Sequence, residues 1–358
     1  MSVFRQLRRA RYVDHVEKEE KIFLKACRGE PTDYTPIWLN RQAGRYMPEY
    51  LELKDDMPSL AFFKNPEKAA KATLDAQRIL GVDAAILFAD LLPIMEPMGL
   101  ELDYVEGVGP VFANPVRNIK DVHRLITQPA VEATPYIAET IRNILSDLPR
   151  NIALIGFAGA PFTLASYAVE GRGSRNYVHV KKLMYQAPEV WDLLMDKLVS
   201  QVTSYLELQI ASGVDAVQIF DTWVGCLSVA DFRQYVLPYT ARLIRNLEGR
   251  VPLIYFGTGN AHLLSDMAPL VDVLALDWRT PLVETWDRLG IDVVQGNLDP
   301  IVLCADPETV SNHAQRLLDE VAGRPGHIFN LGHGIIPETP VANVQRLVDH
   351  VHQHSNRG

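Results

Sequence analysis

The chain has 358 residues, 47% hydrophobic and 22% charged, with 44 acidic against 35 basic side chains and a formal net charge of −9. That balance argues against a nucleic-acid partner, because a phosphate backbone calls for a basic face. An anionic small molecule stays open, since it needs only a locally positive cleft.

The first residues, MSVFRQLRRARYVDHVEKEEK, mix charges and hold no apolar core of a secretory signal. Residues 1–18 therefore predict a flexible arm. The segment 19–29 predicts a helix ended by Gly29, with Pro31 beyond it. Pro36-Ile37-Trp38-Leu39 predicts a short buried strand, followed by Arg41, Gly44 and Arg45, with the glycine placed to let the backbone bend. Residues 51–63 give no regular pattern. Asn65 and Pro66 open a helix that Gly81 ends. Ala84–Phe88 is apolar throughout, as a strand buried on both faces would be. The segment 91–120 predicts an inserted loop or short hairpin, and 134–148 a helix.

Ala153–Phe157 predicts the third strand, with a Gly/Pro-rich loop after it. A helix over about 188–211 ends at Gly213, and a strand follows at Ala216–Phe220. Ser228 with Asp231 resembles a capping box and opens a helix to about Glu248. Strands at Val251–Phe256, Val273–Asp277, Asp292–Gly296 and Ile328–Leu331 then interleave with helices near 260–267, 281–289, 307–322 and 341–354.

Eight apolar strands alternating with helices imply parallel strands joined by right-handed crossovers. The resulting expectation is an α/β fold: a single (β/α)8 TIM barrel over 19–358, with a helical extension before its first strand. GVDAAILFAD at 81–90 and GVDAVQIFD at 213–221 echo one another and support the repeat. An open doubly wound sheet is the alternative, but no GxGxxG follows the first strand. No apolar run approaches the roughly 20 residues needed to span a bilayer. Cys27, Cys226 and Cys304 lie far apart without a CxxC, which favours a reducing, cytoplasmic setting.

In a barrel the chemistry gathers where the strands end. The polar residues after the predicted strands are Arg41 and Arg45, Asp90, the group Tyr167, Glu170, Arg172 and Arg175, then Asp221 and Thr222, Asn297 and Asp299, and His333 between two glycines. Paired guanidinium groups suit carboxylates, which they bind through two parallel hydrogen bonds. Asp90 alone reads as a cap or an ion-paired carboxylate, or else as a carboxylate held in an apolar mouth near arginines and accepting hydrogen bonds from a ligand's N–H groups; Tyr167 could equally be a core tyrosine, and Asp221 and Thr222 turn residues. No HExxH, HxC or GxSxG motif is present, and His262 has no cysteine beside it. The toolkit suits an anionic substrate and proton chemistry without metal or cofactor.

RQAGRYMPEY at 41–50 and GFAGAPFTLASYAVEG at 156–171 resemble two signatures of the uroporphyrinogen decarboxylase family. FADLL at 88–92, FDTWVG at 220–225, QGNLDP at 295–300 and FNLGHGI at 329–335 are similar to further blocks in the same order. The resemblance covers about 20–354. It implies a cofactor-free, metal-free barrel, usually a homodimer, that turns the four acetate side chains of uroporphyrinogen III into methyls in tetrapyrrole synthesis. Arg41 and Arg45 would bind substrate carboxylates and Asp90 the central pyrrole N–H groups. Tyr167, Thr222 and His333 would make further polar contacts, and Asp90, Arg41, Arg45 and Tyr167 form the implied catalytic set. Asn40 departs from the family, which commonly has a large apolar residue there, and Ala89 and Thr222 replace residues that are often serine. The rival from another class is a zinc-dependent corrinoid:thiol methyltransferase, which would want His-x-Cys after a middle strand. A catalytically silent barrel is a third reading, against which Arg41, Arg45 and Asp90 argue.

Overall fold

Among the described residues nine strands form, as β1 Ala84–Ile86, β2 Leu102–Val105, β3 Gly109–Phe112, β4 Ala153–Gly159, β5 Ala216–Asp221, β6 Leu253–Gly257, β7 Val273–Ala275, β8 Val294–Gln295 and β9 His327–Ile328. They belong to a computed structural model that describes residues 21–357. The predicted arm at 1–18 lies outside the described residues. Seven strands make one curled parallel sheet in the order β1-β4-β5-β6-β7-β8-β9, and β2 pairs β3 in a separate antiparallel hairpin. The architecture is a mixed α/β fold of the TIM-barrel-like kind.

Strand alternation hides inside the apolar runs. Ala84, Ala153, Ile155, Ala216, Ile254 and Val273 join one hydrophobic cluster with Trp38 and Phe329. Their neighbours Ala85, Leu154, Val217, Leu253, Leu274 and Val294 join a second, shared with the long helix Pro188–Ser212. The register agrees, since Ala84 pairs Ala153, Ile155 pairs Ala216 and Ile254 pairs Val273. A sheet covered on both faces gains apolar burial from every residue, so the sequence shows no period of two.

The predicted strand at 36–39 is shorter than expected, with one parallel bridge between Ile37 and Phe329. It is nonetheless bonded on both sides. Phe329 N donates to Pro36 O at 2.8 Å, Asp83 N donates to Ile37 O at 2.9 Å, and Ile37 N donates to Asp83 Oδ2 at 2.8 Å. The segment thus runs from beside β9 to the start of β1. The helix Ile22–Cys27 lies before it and buries Phe23, Ala26 and Cys27.

Local signals set most helix ends. The Asn65 side chain accepts from Lys68 N at the start of Pro66–Leu80, and Gly81 ends that helix at φ 69°. Ser228 caps Val229–Tyr235 through Asp231 N. Further expectations change. The Gly/Pro-rich segment after β4 is a helix, Pro161–Glu170, with proline in its first turn and Gly171 closing it at φ 81°; these residues mark its boundaries. The single helix expected to Glu248 breaks at Val236, because Leu237–Leu247 carries a proline in its first turn. Residues 51–63 hold the end of the helix Pro48–Lys54 and all of the helix Ser59–Phe63. The strands expected at 292–296 and 328–331 shrink to β8 and β9, two residues each.

Candidate active site

The loop after 36–39 sorts its residues by two interleaved pairs, four apart. Gln42 and Tyr46 are buried, while Arg41 and Arg45 are exposed. Gln42 accepts from Leu39 N at 3.1 Å and donates to Ala84 O at 3.1 Å, and Tyr46 OH donates to Gln42 O at 2.7 Å. One pair pins the loop and the other presents its charges. The chain bends at Gly44, whose carbonyl accepts from Met47 N at 3.0 Å, and also earlier at Arg41, where φ is 61°. Leu39 O accepts from Gln42 N, which makes Arg41 the third residue of a tight turn, where type II turns take positive φ. Neither Arg41 nor Arg45 makes a salt bridge to another described residue, so both charges are open to an anion.

Asp90 lies past the end of β1, half-buried among Leu91 and Leu92. Its Oδ1 accepts from Tyr104 OH at 2.7 Å and from Leu92 N at 3.0 Å. Burial pushes its carboxyl above the usual range, while the Tyr104 and Leu92 bonds and the charge of Arg41 pull it back. Tyr167, on Pro161–Glu170, is pushed up to about 12 by burial and by the charge of Asp90. Its ring meets Trp223 edge-on, with centroids 5.7 Å apart.

His333 sits in the loop after β9, with its ring edge-on to Trp278 at 5.9 Å. Burial and the charges of Arg41 and Arg279 lower its pKa to about 4, so the imidazole is neutral near pH 7. Its flanking glycines are needed for approach. A Cβ on Gly332 would stand 2.1 Å from Trp278 N, and one on Gly334 2.3 Å from Arg41 Cδ. Arg41 therefore lies along the Gly332–Gly334 loop and binds the first and last strand ends into one mouth.

Of the residues singled out in the sequence, Arg41, Asp90, Tyr167 and His333 come together. Arg45 is on the same loop, where its charge reaches Tyr50. Thr222 meets the rim through its carbonyl, which accepts from Thr258 OH at 2.6 Å. Asp221 is buried, accepting from Thr163 OH at 2.8 Å and Tyr255 OH at 2.9 Å, and so ties the helix carrying Tyr167 to β5 and β6. Glu170 accepts from His179 N and Val180 N as a cap, Asp299 caps a short turn through Ile301 N, and the His262 ring pairs with Leu227 O.

The sequence reading missed Tyr104, Trp223 and the run Asp277-Trp278-Arg279. Asp277 is buried and accepts from Gly259 N, Thr280 OH and Arg279, whose guanidinium lies 3.7 Å over Trp278. The signal was available, because LALD at 274–277 repeats the strand-then-aspartate pattern of Asp90 and Asp221. Tyr104 carries no such mark within its hairpin. Among the described residues, no group of three or more His, Cys, Asp or Glu side chains is placed to hold a metal ion.

Comparison with known proteins follows the same outline. The family model described as uroporphyrinogen decarboxylase (URO-D) matches residues 18–354. The chain is similar to a uroporphyrinogen decarboxylase of Koribacter versatilis, 48% identical over 340 residues, 94% of this chain and 97% of that one. A second, of Geobacter metallireducens, is 49% identical over 338 residues, 94% and 99% of the two chains. Among solved structures, a methyltransferase from Methanosarcina mazei matches with a TM-score of 0.79 over 94% of this chain and 99% of that chain. At 20% identity that likeness shows the fold alone. Fold and sequence together define a TIM-barrel-like decarboxylase. The chain belongs to the uroporphyrinogen decarboxylase family.

Proposed function

We propose that this enzyme decarboxylates the four acetate side chains of uroporphyrinogen III to methyls, releasing coproporphyrinogen III and four CO₂ in tetrapyrrole biosynthesis. The observation that carries the reading is the placement of Asp90 beside Arg41, which forms no salt bridge with another described residue, in a chain that matches the family almost end to end. An eight-carboxylate substrate needs positive charge only at the cleft, which fits a protein of net charge −9.

Decarboxylation needs somewhere to put an electron pair. A pyrrole protonated at carbon is its own sink: the C–C bond to the carboxylate breaks, its electrons neutralise the ring cation and leave an exocyclic methylene, a proton adds there to complete the methyl, and the first proton leaves the ring carbon to restore the pyrrole. Asp90 faces the pyrrole N–H groups and stabilises the cation electrostatically. Arg41 and Arg45 hold substrate carboxylates by their planar forks. Tyr167, Thr222 and neutral His333 supply further polar contacts at the rim.

We further propose that segment 36–39 closes the sheet into an eight-stranded barrel, an assignment its bonds toward both β1 and Phe329 support. On this reading 19–358 is one catalytic domain and 1–18 an arm before it. The family resemblance also carries a homodimer. The unpaired Cys27, Cys226 and Cys304 favour a cytoplasmic setting, and no helix among the described residues is long and apolar enough to cross a membrane. The test is incubation of purified protein with uroporphyrinogen, with no added metal or cofactor. Coproporphyrinogen should form; its absence, beside an active enzyme of the family, overturns the reading.

A further inference from the structure

Tyr104 belongs to the β2–β3 hairpin, which reads as a surface insertion, yet its hydroxyl reaches Asp90 Oδ1 at 2.7 Å. The hairpin is fixed in place. Phe112 N donates to Gly171 O at 2.7 Å, and Val111 bridges Arg172, so β3 is fastened to the end of the helix that carries Tyr167. The Tyr104 ring meets Phe63 edge-on at 5.5 Å. Leu92 N also donates to Oδ1, so the two bonds fall on one oxygen and Oδ2 receives neither.

We propose that Tyr104 is a positioning residue for Asp90, occupying one carboxylate oxygen so that the other is presented to the substrate. The inference rests on the decarboxylase reading for its kinetic consequence, but not for its chemistry. A hydroxyl that donates to a carboxylate favours the ionised form. The other groups facing Asp90 are the backbone N–H of Leu91, Arg41 from the first loop, Tyr167 from Pro161–Glu170 and Tyr205 from Pro188–Ser212. Arg41 favours the ionised carboxylate and stays in every variant. Tyr104 also feels Glu96, whose carboxylate is paired with Lys64.

The experiment compares Tyr104→Phe, which keeps the ring, with Phe63→Leu, which disturbs the same packing and keeps the hydroxyl. Carbon-13 NMR titration of the Asp90 carboxyl, assigned with Asp90→Asn, reads the contact without activity. In Tyr104→Phe its midpoint should rise by about one pH unit, the size of one hydrogen bond to a charged group. In Phe63→Leu it should stay put. Where the wild type turns over uroporphyrinogen, the acid limb of kcat should move up in Tyr104→Phe by the same amount, with KM within about twofold. An unmoved midpoint in Tyr104→Phe, or an equal rise in Phe63→Leu, overturns the proposal. A wild type that does not decarboxylate overturns the functional reading instead, and the titration still decides the role of Tyr104.

Discussion

The side-chain oxygen of Asn40 accepts a hydrogen bond from Nε2 of Gln218 at 3.1 Å, although 178 positions separate them in the chain. Gln218 in turn accepts from Gln295 at 2.9 Å, and Gln295 from the Trp38 indole at 2.9 Å. A polar chain thus crosses the buried interior. Asn40→Leu strips Gln218 of its acceptor and Leu331 O of a donor, and should destabilise the fold by about 1–3 kcal/mol in urea unfolding. The backbone of Asn40 keeps its bonds to Asn330 Oδ1 and Ile335 N, so Arg41 should hold its place and KM should change little.

Asp90→Ala should abolish nearly all turnover, by at least about a hundredfold in kcat, the scale of losing one preorganised electrostatic stabiliser. Near-normal turnover would remove Asp90 from its assigned role. Asp90 is only half-buried, so circular dichroism should show an intact fold.

Two glycines two residues apart should respond differently to alanine. At Gly334 the new methyl meets Arg41 Cδ, the middle of a flexible side chain, so Gly334→Ala should keep the fold and raise KM about tenfold by displacing the guanidinium. At Gly332 it meets the Trp278 backbone, so Gly332→Ala should lose stability outright, visible as a lower Tm. Equal Tm values for the two variants would contradict the packing.

Asp221 has its carboxyl pushed up to about 6, chiefly by burial. That lies above the usual value of about 3.9 in an unfolded chain, so the folded state binds the proton more tightly. Stability from this group is full below about pH 4 and is lost as pH rises to about 6, by on the order of 2–3 kcal/mol. Asp221→Asn should flatten that part of the stability profile. A variant whose unfolding free energy falls as steeply as the wild type's between pH 4 and 6 would refute the assignment.

His333 should titrate near 4 in proton NMR of the free protein, not near 6.5. His333→Gln, which keeps a neutral hydrogen-bonding side chain, should then leave the pH–rate profile unchanged between pH 5.5 and 8.

Much of this fold is legible because strand exits repeat. Asp90 and Asp221 both follow apolar runs, and caps such as Asn65 and Gly81 mark helix ends within a residue. Where legibility fails, the reason is tertiary. Gln218 sits inside a run that reads as plain strand, and only closure of the interior reveals its partners. Tyr104 reaches the mouth because β3 docks on Gly171, a contact between segments about 60 residues apart that no local pattern announces. The helix Pro161–Glu170 was masked by its own boundary residues. The bend at Gly44 is legible, but the tight turn before it, with Arg41 in the left-handed region, carries no glycine to announce it.

That tight turn sets two demands on position 41 against each other. A left-handed backbone disfavours any side chain by about 1 kcal/mol, and glycine would relieve it. Arg41→Gly should therefore unfold no more readily than the wild type while losing its hold on carboxylates. Selection for thermal stability alone would drift toward that inactive variant, and a screen of this enzyme must read turnover to keep its arginine.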